Sequence, residues 1–171
     1  MSKFVQLTTA AMILAAVSGC GVQKYVGLEG DDRTVYSGPM YPATSKIAIA
    51  FQPAQVGKSC RVFAEALAQF PANATGKDIE SAVLGEAGKR GAEQVLIGRS
   101  RQAEDDEGLQ FLYFGPTHEY LCSDQCGGWR FGYEFWEKQG EWVSLGYGQW
   151  GKSEARFESP LVMQMVMLRC Q

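Results

Sequence analysis

Hydrophobic residues alternate with small or polar residues in two stretches, the pattern of a β-strand with one buried face. The first stretch covers residues 46–51. The second covers residues 129–135, where every second residue is aromatic, and we predict that it pairs with residues 142–147 as a hairpin. Residues 109–114 are mostly apolar without alternation and predict a further strand that ends at Gly115-Pro116.

Two other stretches, residues 94–98 and residues 161–169, are apolar on both faces and predict buried strands. In the second of them Met163, Met165 and Met167 share one face. Thioethers can bind Cu(I), but methionine also fills irregular gaps in hydrophobic cores. We expect a central strand whose methionines pack in the core.

Two stretches have the spacing of a helix. Apolar residues in 60–70 are spaced like one helical face, and this helix would end at Pro71. The sequence Thr75-x-x-Asp78 predicts the start of a second helix, because the threonine hydroxyl can accept an early backbone N–H and an acid suits the positive end of the helix dipole. Gly91 is placed to end it.

The order strand, helices, strand over residues 46–98 predicts a βαβ crossover that joins two parallel strands. Together with the strand-rich C-terminal third, it predicts an α+β fold in which one or two helices pack on a mostly antiparallel sheet of about five strands. We place this single domain at residues 46–171. Residues 20–45 have scattered glycines and prolines and little periodicity, so they predict a flexible tether.

The N-terminal segment has the three zones of an export signal. Lys3 supplies a positive charge, residues 10–17 are apolar, and Ser18-Gly19 precedes Cys20. The apolar run is too short for a stable membrane-spanning helix, which needs about 20 residues. The sequence Val17-Ser18-Gly19-Cys20 resembles the lipobox of bacterial lipoproteins. The resemblance implies that residues 1–19 are removed and that the Cys20 thiol receives a diacylglycerol.

A lipobox implies a protein that is anchored to a membrane by its acyl chains and does not cross it. Bacterial lipoproteins that stay in the inner membrane often carry Asp after the lipidated cysteine, and this chain has Gly21 there. The resemblance therefore implies the outer membrane, with the domain facing the periplasm. The run Ala87–Gly98 is also similar to a helix, Gly-Ala, aliphatic-strand sequence in small envelope lipoproteins of the Rcs stress-sensor type, and no partner-binding residue follows from it.

The charge of the chain argues against a nucleic-acid partner. One of the 16 Lys and Arg residues, Lys3, leaves with the signal, so 15 basic residues stand against 19 acidic ones and the formal net charge is −4. A surface that binds nucleic acid needs clustered basic residues to neutralise phosphates. We expect the partners to be the membrane, through the lipid, and a protein or glycan of the envelope.

Lipidation of Cys20 would leave four cysteines for the folded domain: Cys60, Cys122, Cys126 and Cys170. An even number in an exported protein favours two disulfides, and three pairings are available. We favour Cys122–Cys126 together with Cys60–Cys170, since the second bond would tie the end of the chain to the start of its helical region. A crossed pairing is the alternative.

His118, Cys122 and Cys126 are spaced so that a helix would carry all three on one face, which suits a zinc or copper site. Both cysteines would have to stay reduced in an oxidising compartment, and the flanking glycines favour a loop. We therefore expect no metal or cofactor, but a local disulfide beside an exposed histidine. A periplasmic metal-binding or thiol protein that uses these three residues is the alternative.

The sequence has one histidine and lacks the Gly-x-Ser-x-Gly, His-Glu-x-x-His and phosphate-loop motifs of common enzymes. We therefore expect a non-enzymatic envelope lipoprotein that binds another envelope component, in assembly or in stress sensing. Aromatic residues between Trp129 and Trp150 offer a further alternative, a surface that stacks on the sugar rings of peptidoglycan or another glycan.

Overall fold

A mixed sheet with strand order β1-β3-β7-β2-β4 forms the centre of the fold. The computed structural model describes residues 32–126 and 128–170, so the lipobox and the first part of the predicted tether lie outside the described residues. The strands are β1 (Ala48–Ala50), β2 (Cys60–Phe70), β3 (Gln94–Gln102), β4 (Gln110–Gly115), β5 (Tyr120–Leu121), β6 (Trp142–Val143) and β7 (Leu161–Cys170). The helices are α1 (Gly76–Arg90), α2 (Cys122–Gln125) and α3 (Tyr133–Trp136).

The predicted α+β class is confirmed. β1 runs parallel to β3, as the predicted crossover requires, and the other strand pairs are antiparallel. Two short strands extend the five-strand path, because β5 pairs with β2 and β6 pairs with β3. Within residues 32–126 and 128–170, no helix is long and apolar enough to cross a membrane.

β7 is the central strand, as predicted, because β2 and β3 pair with its two edges. Both of its faces are buried, from Leu161 to Leu168. Met163, Met165 and Met167 join the core on the same side as α1, while Val166 and Leu168 pack into a second cluster on the other side. A strand that is apolar on both faces fits this position between two layers.

α1 begins and ends where the sequence predicts. The Thr75 hydroxyl accepts a hydrogen bond from the Asp78 backbone N–H, and the Asp78 carboxylate accepts one from the Thr75 backbone N–H. Gly91 ends the helix in a left-handed conformation with φ of 75°, which glycine adopts at no steric cost. Ile79 and Val83 are fully buried against the sheet.

The helix predicted over residues 60–70 is wrong, because this stretch forms β2, the longest strand among the described residues. Phe63, Leu67 and Phe70 have helical spacing, but Val62 and Ala64 are buried as well. The polar residues Arg61, Glu65 and Gln69 lie four apart, which places them on one face of a helix and equally on one face of a strand, so the spacing does not distinguish the two. Pairing with β7 on one edge and β4 on the other decides the structure.

The predicted hairpin of residues 129–135 with residues 142–147 is also wrong. Trp129 and Gly132 have positive φ angles of 44° and 62°, which interrupt an extended chain. This segment covers the face of the sheet opposite α1 with its aromatic rings and ends in α3. Only Trp142–Val143 forms a strand, and it pairs with β3.

The flexible tether predicted to reach residue 45 needs correction in its described part. Tyr36 packs edge-on against Tyr113 with 4.9 Å between ring centroids, and Tyr41 does the same against Phe63 at 5.1 Å. Thr44 donates a backbone hydrogen bond of 3.1 Å to the carbonyl of Gly88 in α1. The chain therefore joins the domain about ten residues before residue 46.

The structure pairs the cysteines in the way that the sequence analysis favours. Cys60 and Cys170 are register neighbours on β2 and β7, and their sulfurs are bonded. Cys122 and Cys126 are bonded across the four-residue helix α2.

Candidate ligand-binding cleft

A cleft opens where β6 separates from β3. The two strands pair only at Ser100–Val143 and Arg101–Trp142, and beyond Val143 the chain turns away from β3. Residues 98–100 form one wall and residues 142–146 the other, and the space between them, about 400 Å³, is open to solvent. Sites for small organic ligands commonly have volumes of about 300–1,000 Å³. The cleft is therefore large enough for a small ligand.

An irregularity in β3 shapes the first wall of the cleft. Between Ile97 and Ser100 the register with β7 shifts, since β3 uses three steps where β7 uses two. Such a bulge bends a strand and redirects its side chains. It includes Gly98, where an added Cβ would lie 2.8 Å from three atoms of the Trp129 indole. The glycine is required at this position because the ring of Trp129 lies directly on the backbone.

Trp142 is the main apolar group of the cleft, and 60% of its surface is exposed. The guanidinium carbons of Arg101 and Arg99 lie 5.2 Å and 5.5 Å from the centroid of its indole ring. Trp136 packs beside it with 6.0 Å between ring centroids. Cations at these distances are attracted to the face of an indole ring. The ring therefore has favourable contacts with both guanidinium groups while much of its surface faces solvent.

The two arginines are held differently. Arg101 donates hydrogen bonds from Nε to the Gly140 carbonyl at 2.7 Å and from Nη1 to the Trp136 carbonyl at 2.9 Å. Arg99 is exposed, and its guanidinium contacts the ring of Trp142. Neither arginine forms an ion pair with any residue that the structure describes. Two positive charges at the cleft therefore have no acidic partner within the described part of the chain.

Polar and aromatic groups complete the surroundings of the cleft. Ser100 is only 3% exposed, and its Oγ has no hydrogen-bond partner among the residues described. Most buried hydroxyl groups have a partner, so this oxygen is unusual. Tyr147, which follows the cleft residue Gly146, is 85% exposed and meets Phe51 edge-on at 6.2 Å. A second exposed aromatic ring therefore lies next to the cleft in sequence.

A second concavity of about 260 Å³ lies beside residues 70–74 and Leu109. Its charged residue is Asp78, which already accepts hydrogen bonds from the Thr75 hydroxyl and backbone. These bonds hold the pKa of Asp78 below its usual value. This concavity therefore offers fewer free polar groups than the cleft.

Two partly buried carboxylates, Glu86 and Glu65, lie outside the cleft, and each has its own partners. Burial alone would raise the pKa of Glu86, but hydrogen bonds from the Tyr113 hydroxyl and the Arg90 guanidinium outweigh it and lower the pKa. Burial raises the pKa of Glu65, against a 2.8 Å hydrogen bond from the Tyr120 hydroxyl. The first network joins α1 to β4 and the second joins β2 to β5, which are structural roles.

The structure does not bring the predicted metal ligands together as three free donors. Cys122 is bonded to Cys126, and His118 is exposed in the turn before β5. Among the described residues, no group of three or more His, Cys, Asp or Glu side chains could hold a metal ion. The metal-binding or thiol alternative would require the disulfide to be reduced, and it remains a hypothesis. Cys20 lies outside the described residues.

Sequence reasoning missed Arg99, Ser100 and Arg101 as site residues and included Trp142 only within a long aromatic region. The run Gly98-Arg99-Ser100-Arg101 does carry a signal, because cations two residues apart on a strand lie on the same face. That signal becomes specific only once β6 is known to pair beside it.

Comparisons with protein-family models, with curated proteins and with solved structures give no match to this chain.

Proposed function

We propose that this protein is a lipid-anchored, non-enzymatic binding protein of the bacterial envelope. Cys20 carries the lipid, and the domain binds another component of the envelope. We propose that this component is a glycan of the peptidoglycan layer. The lipobox sequence Val17-Ser18-Gly19-Cys20 supports the anchor, and the cleft at Trp142 supports the binding role. The outer membrane, with the domain facing the periplasm, is the proposed location.

The observation that carries the binding role is the exposed indole ring of Trp142, which the Arg99 and Arg101 guanidinium groups flank. Trp and Arg are among the residues that most often dominate binding energy, and here they occur together at one cleft. An indole face is apolar and rigid, so it can stack on the C–H face of a sugar ring at little entropic cost. A tryptophan that is 60% exposed at a cleft is better explained as part of a binding surface than as a core residue.

Replacing Trp142 with alanine is expected to reduce the retention of the protein on purified peptidoglycan at least about tenfold, since loss of a central aromatic contact commonly has effects of this size. The measurement is co-sedimentation of the detergent-purified full chain with peptidoglycan. The matched control is Tyr133→Ala, because Tyr133 is 59% exposed and does not line the cleft. Equal retention of wild type and Trp142→Ala would contradict the glycan-binding role.

Replacing Cys20 with serine is expected to abolish incorporation of labelled palmitate and to release the protein from the washed membrane fraction. The reason is that serine has no thiol to accept the diacylglycerol, and each buried methylene of an acyl chain contributes about 0.8 kcal/mol to anchoring. Ser18→Ala is the control, because it keeps a small residue before Gly19 and should still be labelled. Palmitate in the Cys20→Ser protein, or none in the wild type, would refute the anchor.

A further inference from the structure

We infer that the cleft selects a carboxylate-bearing glycan, with a sugar ring against Trp142 and the carboxylate against the guanidinium of Arg99. This inference rests on the proposed glycan-binding function and adds to it the charge of the ligand. The juxtaposition that points to it is a half-exposed indole flanked by two arginines that have no acidic partner among the described residues.

What distinguishes the two arginines is their position together beside Trp142, because Arg130 and Arg156 also form no ion pair among the described residues. Arg61 lies near Glu119, Arg90 binds Glu86 and Arg169 lies near Glu93, at distances of 3.8, 2.7 and 3.4 Å. Arg99 and Arg101 lack an ion-pair partner in the described part of the chain and lie together at the cleft, where their summed field attracts an anion.

The geometry of the two arginines assigns them different roles. Arg101 is fixed by the carbonyls of Gly140 and Trp136, so it supplies a stationary positive charge behind the ring. Arg99 is exposed and makes no hydrogen bond to a described residue, so the N–H groups of its planar fork can face a ligand. A guanidinium of this kind binds a carboxylate through two parallel hydrogen bonds, which a neutral hydroxyl cannot match.

The remaining groups fit a sugar better than a simple ion. Tyr147 places a second exposed ring after Gly146, where a neighbouring sugar of the same chain could stack. A volume of about 400 Å³ gives room for a ring together with its acidic substituent.

The experiment compares native peptidoglycan with peptidoglycan whose carboxylates have been converted to neutral amides. We expect amidation to lower retention of the wild-type full chain about tenfold or more, as loss of a charge-assisted hydrogen-bond pair does. Arg99→Gln should reduce retention on native peptidoglycan by a similar factor, and amidation should then have little further effect because the same contact is already lost. Arg130→Gln, a variant outside the cleft wall, should behave like the wild type.

The outcomes separate this inference from the proposed function. Retention that depends on Trp142 but is unchanged by amidation and by Arg99→Gln would overturn the charge selectivity and leave glycan binding intact. Retention that does not depend on Trp142 would overturn both. Stronger binding to a phosphorylated glucosamine lipid than to native peptidoglycan would also overturn the inference, because the cleft would then select phosphate on another envelope component.

Discussion

Replacing Cys60 and Cys170 together with alanine is expected to lower the free energy of unfolding by about 4–5 kcal/mol, against about 2 kcal/mol for Cys122 and Cys126 together. The paired cysteines are 110 residues apart in the first case and 4 in the second. In the chain-entropy model a crosslink restricts the unfolded chain more when it closes a longer loop. The first bond also joins the two longest described strands at register neighbours.

Denaturant unfolding under oxidising conditions measures this difference as a change in the transition midpoint, with the slope of the transition reporting any change in the unfolded state. The Cys122/Cys126 variant is the matched control, since it removes the same chemistry from a much shorter loop. Similar losses for both double variants would show that loop length does not determine the contribution of these bonds.

Elements whose signals are local could be predicted from the sequence. The Thr75 and Asp78 capping pair and Gly91 define α1 without help from the rest of the chain, since each acts on backbone groups within a few residues. Residues 161–169 predict a central strand because both of their faces are apolar, which only a position between two layers can satisfy. Both elements appear as predicted.

Elements that depend on distant partners were not predictable in the same way. The polar residues of β2 lie four apart, a spacing that suits either a helix or a strand, and pairing with β7 and β4 decides that it is a strand. The favoured Cys60–Cys170 pairing is present for a reason that the sequence did not reveal. The bond joins register neighbours on two adjacent strands, whereas the spacing of apolar residues predicts a helix at Cys60.

The residues of the cleft could not be predicted from the sequence for the same reason. Trp142 lies far from Arg99 and Arg101 along the chain, and the pairing of β6 with β3 brings them together. The bulge in β3 beside Arg99 includes Gly98, and it is the absence of a side chain there that lets Trp129 lie against the strand. An aromatic-rich region is visible in the sequence, but which of its rings is buried and which is exposed depends on these long-range contacts.

Replacing Gly88 with alanine is expected to lower the free energy of unfolding by about 2 kcal/mol, a typical cost of overpacking. An added Cβ would lie 2.7 Å from the Thr44 carbonyl oxygen, which is backbone and cannot rotate away. The substitution would push the N-terminal segment off α1 and strain the hydrogen bond from the Thr44 N–H to the Gly88 carbonyl. Chemical denaturation gives the stability, and limited proteolysis around Thr44 reports the release of the segment.

Gly85→Ala is the matched control in the same helix. A Cβ added at Gly85 would have no described atom within 4 Å beyond its own helix backbone, so alanine there is expected to stabilise the protein by about 0.5–1 kcal/mol through helix propensity. The two substitutions remove the same backbone freedom, and the contact with Thr44 distinguishes them. If Gly88→Ala were as stabilising as Gly85→Ala, residues 41–45 would not be packed on α1, and the domain would begin near residue 46 as the sequence pattern predicts.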